Sequence, residues 1–412
     1  MCTESTVHCF KTHISCIPPV PHMARNVAVG IDIGTYQIKV MVAEFPKDKN
    51  APRILGTGFA ESKGMRHGYI INTEEAARAI KSAVKQAEKI SGIEIRRAFI
   101  SVGGIGLMGV TCQASTIITR ADSEITEFDI KKVHEVVESE LPPSAALNRK
   151  ILHAIPIAYK IDGKPVLGRP QGMKGTKLEV KTLFVTCLEQ HLNDLIAAVG
   201  EAGIEVEDVM ASPLAASIVT LSKTQKIAGC VLANIGAETV SIAVFENNIP
   251  ISLEVFPIGS TNITHDIALG LKIPLEDAER IKMGYGSDVS YSKKKLEEII
   301  IARLSDIFEL IDAHLAKINR SELLPAGIVI TGGGSGITAI DEVAKISLKL
   351  PSKIASIVFE GTSKVPIKDA TWAVAYGLCI LGFTQGDEPS VGIKIAHRTK
   401  NRILAWVKQF LP

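Results

Sequence analysis

One pattern occurs twice in this chain: an apolar strand, a turn of the form Asp/Asn-x-Gly, a threonine and a second apolar strand. The first copy spans 27–44 with its turn at Asp32, and the second spans 230–245 with its turn at Asn234. Apolar, β-branched residues on both sides of a glycine turn predict a hairpin in each copy. An internal duplication of this kind predicts two related halves that face one another.

A third glycine turn follows the second copy. Residues 326–336 are typical of an apolar strand that runs into the glycines at 332–334 and then into a helix. Glycine backbone N–H groups can approach an anion closely, and the hydroxyls of Thr35 and Thr239 add donors. The carboxylate of Asp32 suits a hydrated Mg²⁺. Each turn taken alone is more often a plain hairpin, but the three in this order predict a three-sided nucleotide clamp.

Length and periodicity place this clamp in a large α/β protein. A chain of 412 residues exceeds the usual size of a single core, and 46% apolar with 22% charged residues is ordinary for a packed protein. Helical periodicity at 73–91, 189–202, 264–283 and 293–318 alternates with strands. Between about 97 and 179 strands outnumber helices, which predicts an inserted module.

Charge and cysteine usage exclude several classes of protein. The 46 Lys and Arg against 44 Asp and Glu leave a net charge of +2, which argues against a general nucleic-acid binder. Seven cysteines without C-x-x-C spacing favour a reducing, cytosolic compartment. No apolar run or leader pattern predicts a spanning helix or a signal peptide. Residues 1–23 lack apolar periodicity and are predicted to be a disordered extension, or a start-site artefact ahead of Met23.

The end of the chain carries a different signal. Residues 389–412 contain five Lys or Arg and no Asp or Glu, and on a helix the apolar residues after 402 fall on one side. This predicts an amphipathic helix that lies on an anionic membrane surface without spanning it. A terminal helix docked on the protein core is the alternative. The predicted membrane-binding residues are Arg402, Ile403, Leu404, Trp406, Val407, Lys408, Phe410 and Leu411.

Motifs of other protein classes are absent or lack the secondary structure that they require. The glycines at 104, 106 and 109 match a dinucleotide fingerprint, but the β-branched residues at 110–118 stand where that motif requires a helix. The sequence has no Walker A lysine loop, H-E-x-x-H motif or G-x-S-x-G elbow. A sugar kinase would need a catalytic aspartate and a substrate loop that we do not find. A chaperone ATPase would need a peptide-binding domain after the second half.

The ordered turns resemble those of the actin, hexokinase and heat-shock-chaperone ATPase superfamily. Four further segments look like the FtsA family of bacterial cell-division proteins. They are Gly-Met-Arg-His-Gly at 64–68, Ile-Leu-His-Ala-Ile-Pro at 151–156, the glycine-containing run at 168–179 and Asp-Ala-Glu-Arg-Ile-Lys at 277–282. The resemblance extends over nearly all of the chain from about residue 26 to 412.

This resemblance implies a bilobed actin-like ATPase fold of the α/β class, made of two ribonuclease-H-like lobes. An SHS2-like subdomain, IC, is inserted in the first lobe, and an amphipathic helix ends the chain. The implied boundaries are 24–96 and 180–222 for subdomain IA, 97–179 for IC, 227–257 and 326–383 for IIA, 258–325 for IIB, 384–397 for a linker and 398–412 for the membrane-targeting helix.

The resemblance also implies a set of nucleotide-binding residues, with Asp32 holding Mg²⁺ through water. They are Asp32, Gly34, Thr35, Lys39, Asn234, Gly236, Ala237, Thr239, Glu279, Lys282, Gly332, Gly333 and Gly334. Glu279 and Lys282 would lie beside the ribose and adenine. Without the resemblance, an exposed helix face explains this pair equally well.

No catalytic residue is assigned, because the second turn departs from the superfamily pattern. Asn234 stands where the superfamily usually has an acid, and Ser241 replaces a later one. A lost carboxylate weakens the field that holds Mg²⁺ and orients an attacking water. We therefore expect at most a weak ATPase, with Glu238 as a geometric candidate for the missing acid.

The implied function is that of an ATP- or ADP-binding division protein. It would polymerise on the inner face of the cytoplasmic membrane at the septum and anchor FtsZ filaments there, holding the FtsZ C-terminal peptide in subdomain IIB. Other divisome proteins are further expected partners, and nucleic acid is not. The alternative is a PilM-like adaptor of type IV pili, whose second turn often resembles 235–239; the amphipathic tail favours FtsA.

Overall fold

The structure is a computed structural model that describes residues 26–46, 52–285, 291–357 and 370–385. The extension predicted at 1–23 and the tail helix predicted at 398–412 lie outside the described residues, as does most of the linker predicted at 384–397.

The first lobe opens with three antiparallel strands, a short hairpin, a long helix and a further strand. In chain order these are β1 (Val27–Ile33), β2 (Gln37–Glu44), β3 (Arg53–Glu61), β4 (Met65–Arg66), β5 (Tyr69–Ile70), α1 (Thr73–Ser91) and β6 (Arg97–Val102). The hairpin predicted at 27–44 is present as β1 and β2, with Asp32 opposite Lys39.

Helix α1 has the predicted bounds. Its N-cap is Asn72, whose side chain accepts a hydrogen bond from the Glu75 amide at 3.2 Å. The helix lies very close to β3 because that strand has glycine at the contact. A Cβ on Gly58 would lie 1.9 Å from the carbonyl oxygen of Ala83.

The inserted module is a four-stranded antiparallel sheet with one long helix. Its elements are β7 (Met108–Ile117), α2 (Glu127–Ser139), α3 (Pro143–Ala146), β8 (Arg149–Ile161), β9 (Lys164–Val166) and β10 (Lys177–Leu188), with strand order β7-β10-β8-β9. Buried side chains that include Ile125, Val133 and Phe184 give the module a core of its own. The chain thus buries apolar surface here separately from the two lobes.

The chain then returns to the first lobe through α4 (Glu189–Glu201), β11 (Glu205–Ala211) and α5 (Ser212–Thr220). The completed sheet has the order β11-β6-β1-β2-β3, with β6 parallel to both β1 and β11. The predicted insertion boundaries are therefore displaced. Strand β6 lies inside the predicted insertion but belongs to the sheet of the first lobe. The predicted end at 179 falls inside β10, which belongs to the module.

The second lobe repeats this plan. Its elements are α6 (Lys223–Ala228), β12 (Cys230–Ile235), β13 (Val240–Glu246), β14 (Ile249–Phe256), α7 (Ser260–Leu271), α8 (Leu275–Lys282), α9 (Lys293–Lys317), β15 (Ile328–Thr331), α10 (Ile340–Leu348) and β16 (Ser352–Ile354). Strand β12 pairs antiparallel with β13 and parallel with β15, as β1 does with β2 and β6. The predicted duplication is confirmed, since the described residues form two five-stranded sheets of the same plan.

One predicted helix is two. The pattern at 264–283 belongs to α7 and α8, which are separated where Lys272 takes a left-handed φ of 58° and Pro274 precedes the second helix. Proline cannot supply the N–H that a continuous helix needs, so the helix ends before it.

The last described helix, α11 (Ala373–Gln385), returns to the first lobe. It packs against β1 and α5, and a Cβ on Gly30 would lie 2.2 Å from the Ala375 carbonyl oxygen. Through this contact, the segment that brings the chain back from the second lobe lies beside β1, the strand that leads into the first glycine turn. Among the helices of the described residues, none combines the length and apolar character that crossing a bilayer demands.

Candidate nucleotide site

Asp32 lies at the end of β1 and is held from a neighbouring strand. Its Oδ1 accepts a hydrogen bond of 2.9 Å from the hydroxyl of Ser101, near the end of β6. Burial raises the pKa of Asp32, while the Lys39 ammonium nearby and the Ser101 hydrogen bond act to lower it. The sequence analysis did not predict a role for Ser101, although its place in the apolar, β-branched run at 98–102 was a usable signal.

Lys39 makes a contact that the sequence did not predict. Its Nζ donates to the carbonyl oxygen of Thr371 at 2.9 Å and lies 5.9 Å from the centre of the Trp372 ring. Thr371 belongs to the short turn before α11, and the neighbouring Ala370 carbonyl accepts a hydrogen bond from Thr331, just before the third glycine turn. The first and third turns are thus tied to the same crossing of the chain.

The two hairpin turns have the same internal geometry. A Cβ on Gly34 would lie 2.8 Å from the Gln37 carbonyl oxygen, and a Cβ on Gly236 would lie 3.0 Å from that of Thr239. A side chain at either glycine would therefore crowd the carbonyl oxygen three residues on, inside the turn itself. In the second turn the Ala237 carbonyl accepts the Thr261 amide at 2.8 Å, which fixes the start of α7 on the turn.

The third turn packs directly on the second. Asn234 on β12 pairs with Thr331 on β15, and Gly332 follows with a φ of 89°. A Cβ on Gly332 would lie 2.3 Å from the Asn234 side-chain oxygen, and one on Gly334 would lie 2.5 Å from a methyl carbon of Ile235. Glycine is required at 332 by both the positive φ and the close packing.

The tip of the β4–β5 hairpin contacts both hairpin turns. The His67 amide donates to Glu238 Oε2 at 2.5 Å, and the Gly68 amide donates to Thr35 Oγ1 at 2.9 Å. Gly68 in turn lies against Gly104, whose Cα would be 2.3 Å from a Cβ on Gly68. The segment at 64–68 contributed to the resemblance, but no role was predicted for His67 or Gly68.

The Glu279 and Lys282 pair is partly buried. Lys282 Nζ lies 2.6 Å from Glu279 Oε2 and 2.8 Å from the Thr264 hydroxyl, and the Lys282 side chain is only 4% exposed. An exposed helix face is therefore wrong for Lys282. Burial lowers the pKa of Lys282, and the bond to Glu279 opposes that change. Lys282 also donates to the Ser260 carbonyl at 3.2 Å, which connects the pair to the start of α7.

These groups can bind an anion and one hydrated cation. The turns present glycine backbone without side chains, and Asp32 offers a single carboxylate. In the part of the chain that the structure describes, no group of three His, Cys, Asp or Glu side chains could hold a metal directly. This donor set fits Mg²⁺ held through water on a phosphate chain, because Mg²⁺ keeps several waters and uses few protein ligands.

The fold is that of an actin-like protein. A five-stranded sheet occurs twice, each copy carries a glycine turn, and an antiparallel module is inserted in the first lobe. Solved structures share this fold. The chain matches one from a PilM–PilN type IV pilus biogenesis complex with a TM-score of 0.66 at 16% identity, over 86% of this chain and 98% of that one. It matches the ethanolamine utilization protein EutJ from Carboxydothermus hydrogenoformans with a TM-score of 0.51 at 16% identity, over 86% and 89% of the two chains.

Sequence comparison identifies the family. The sequence model of the family "Cell division protein FtsA" matches residues 231–377. The model of the family "SHS2 domain inserted in FTSA" matches residues 107–186. The chain is 31% identical to FtsA of Borreliella burgdorferi over 93% of its own length and 98% of that protein. It is 30% identical to FtsA of Bacillus subtilis over 86% and 83% of the two proteins. The chain belongs to the FtsA family of cell-division proteins, with the predicted SHS2 insertion.

Proposed function

We propose that this division protein binds ATP or ADP with Mg²⁺ between its lobes, polymerises, and anchors FtsZ filaments to the cytoplasmic face of the cell membrane at the septum. One observation carries the nucleotide part of the proposal. The His67–Gly68 tip bonds to Thr35 of the first turn and Glu238 of the second, so the two turns face one crevice.

Each part of the nucleotide has a matching group in this crevice. The amides of the two hairpin turns would hold the phosphates, and Asp32 would hold Mg²⁺ through water. Gly332, Gly333 and Gly334 would line the adenosine, and Glu279 is the acceptor for the ribose. Magnesium bound there supplies charge neutralisation for the phosphate chain. Family membership supports the same assignment.

We expect hydrolysis to be slow. Asn234 brings no charge to the second turn, and the Glu238 carboxylate accepts the His67 amide. Water activation in phosphoryl transfer depends on a residue placed to orient the nucleophile. With Glu238 engaged, the site favours nucleotide binding over turnover.

Membrane attachment is assigned to the amphipathic pattern at 398–412, and FtsZ binding to subdomain IIB, predicted at 258–325. One short interfacial helix binds reversibly, whereas many copies in a filament bind far more tightly through effective concentration. Polymerisation and membrane attachment therefore strengthen each other. Other divisome proteins would join the same membrane-bound polymer.

Flotation of the full chain with lipid vesicles, FtsZ and Mg-ATP tests this proposal. We expect the intact protein to float and to carry FtsZ with it. Trp406→Glu, on the apolar side of the predicted tail helix, should abolish flotation, whereas the matched change Gln409→Glu on the polar side should not. Failure of the intact protein to float or to recruit FtsZ would favour the PilM-like alternative.

A further inference from the structure

The exposed side of α1 carries a line of positive charge. Arg78, Lys81, Lys85 and Lys89 are all exposed, and their spacing of three, four and four residues puts them along one face of the helix. We call these four residues the α1 basic stripe. The protein's net charge is only +2, so the stripe is a local concentration and not a general excess of positive charge.

The stripe has few counter-charges on its own protein. Arg78 pairs with Glu74 at 3.8 Å, where both side chains are largely exposed. Glu88, the acid next to Lys89, points its Oε1 at the Ile95 amide at 2.8 Å. Within the described residues, the three lysines form no ion pair. Like charges at this spacing destabilise a helix, so the stripe has no role in folding that would explain it.

The stripe ends near the place where the chain leaves the first lobe. The last turn of α1 lies on β3, where a Cβ on Gly56 would be 2.6 Å from the Ser91 amide nitrogen. Gly56 pairs with Val42 near the end of β2. Just after β2, the Phe45 ring packs on the Phe383 ring of α11, with 5.4 Å between the ring centroids. Helices α1 and α11 therefore end at the same edge of the lobe.

The two helices cover opposite faces of the sheet. Gly30, which contacts α11, pairs with Met41, whereas Gly56, which contacts α1, pairs with the next residue, Val42. Neighbouring residues of a strand point to opposite faces. Residues 386–397, between α11 and the predicted tail helix, reach at most about 40 Å when fully extended. The start of the predicted tail helix therefore lies within about 40 Å of the end of α11.

We propose that the α1 basic stripe is a second membrane contact, which lies against anionic lipid headgroups when the tail helix is inserted. This rests on the proposed function, because the tail must first bring the lobe to the bilayer. The stripe then adds electrostatic attraction without inserting any side chain, and it orients the first lobe with α1 toward the lipid.

The composition of the stripe favours lipid over a protein partner. Protein interfaces are enriched in aromatic residues and depleted of lysine in their buried centre, and their affinity depends on packed anchors. The stripe is three-quarters lysine, and the nearest exposed apolar residue of α1, Ile90, lies about 100° away around the helix from Lys89. A row of cations without an apolar anchor suits a flat, diffuse anionic surface.

The test uses the full chain with Lys81→Gln, Lys85→Gln and Lys89→Gln combined, and vesicles of phosphatidylcholine with or without about 30% phosphatidylglycerol. A matched control replaces Lys293, Lys294 and Lys295 of α9 by Gln, which removes the same charge from exposed positions in the other lobe. Each lysine near an anionic surface is worth about five-fold in affinity. We expect the stripe variant to bind anionic vesicles at least about tenfold more weakly in low salt.

Further measurements and the matched control decide the outcome. On neutral vesicles, and at about 1 M salt where the Debye length is about 3 Å, the stripe variant should bind like the parent protein. Equal losses in the stripe and α9 variants would overturn the proposal, because net charge alone would then explain them. Undiminished lipid binding would also overturn it, including the case in which the variant instead loses an acidic protein partner. If Trp406→Glu leaves flotation of the parent chain unchanged, the proposed tail anchor itself is wrong.

Discussion

The backbone amide of His67 donates a 2.5 Å hydrogen bond to the side chain of Glu238, across the crevice between the lobes. The next amide, of Gly68, bonds to Thr35 on the opposite side. A two-residue tip thus spans both glycine turns. His67 takes a φ of 49°, and Gly68 one of 83°, so successive residues in the left-handed region aim both amides outward.

We predict that Glu238→Ala weakens Mg-ATP binding about five-fold. The carboxylate-to-amide bond joins the second turn to the His67–Gly68 tip, and a partly exposed charge-assisted bond is worth about 1 kcal/mol. Glu238→Gln keeps an oxygen acceptor and should lose less than half of that free energy. Calorimetric titration of the three proteins measures the effect. Equal affinities would mean that the tip does not contribute to closure.

Asp32→Asn should stabilise the nucleotide-free protein at neutral pH. Burial raises the pKa of Asp32, so the folded protein binds this proton more tightly than the unfolded chain. Stability therefore falls as pH rises from the ordinary pKa of an aspartate to the raised one, and the cost remains above it. Asn avoids that cost and still accepts from Ser101. Thermal unfolding from pH 4 to 8 should show a gain of Asn over Asp that disappears toward acid, together with loss of Mg²⁺-dependent nucleotide affinity.

The duplicated turns could be predicted because each depends on residues close together in sequence. Gly34 and Gly236 are fixed by contacts with Gln37 and Thr239, three residues on. Ser101, His67 and Thr371 act on these turns from distant parts of the chain, and no local pattern marks a hydrogen bond that spans 69 or 171 or 332 positions. The sequence therefore predicted the parts of the site but not the contacts that join them.

The predicted start of the inserted module was wrong for a related reason. Residues 97–102 form an apolar strand that suits either sheet, and only its parallel pairing with β1, through Gly30 and Phe99, assigns it to the first lobe. Parallel partners are far apart in sequence and carry no turn signal between them. The break between α7 and α8 was not predicted, although Pro274 is a local signal for it.

Gly332→Ala should damage the third turn, whereas Gly333→Ala should leave the fold intact. A Cβ at 332 would lie 2.3 Å from the Asn234 side chain and 2.6 Å from the Ile235 carbonyl oxygen, at a φ of 89°. A Cβ at 333 would meet nothing within 4 Å. We expect Gly332→Ala to cost about 2 kcal/mol of unfolding free energy. Urea unfolding compares the two variants, and similar midpoints would contradict the packing of Gly332 on Asn234.

The partners around Lys282 should show strong coupling. Glu279→Ala leaves a 4% exposed ammonium with only neutral acceptors, and we expect a loss of about 2 kcal/mol of unfolding free energy. Adding Lys282→Met removes the buried charge and should restore at least half of that loss. A double-mutant cycle by urea unfolding measures the coupling. Additive losses would show that the two side chains act independently in stability.

Asn234→Asp should raise steady-state phosphate release about tenfold or more. The substitution returns a carboxylate to the second turn at nearly the same volume, beside Gly332. A second acid strengthens the field that holds Mg²⁺ and orients water. Asn234→Ala controls for the loss of the amide, and Asp32→Ala in the Asn234→Asp background should abolish the gain. Unchanged phosphate release in Asn234→Asp, with nucleotide affinity retained, would place the limit on hydrolysis elsewhere, in the engagement of Glu238 by His67.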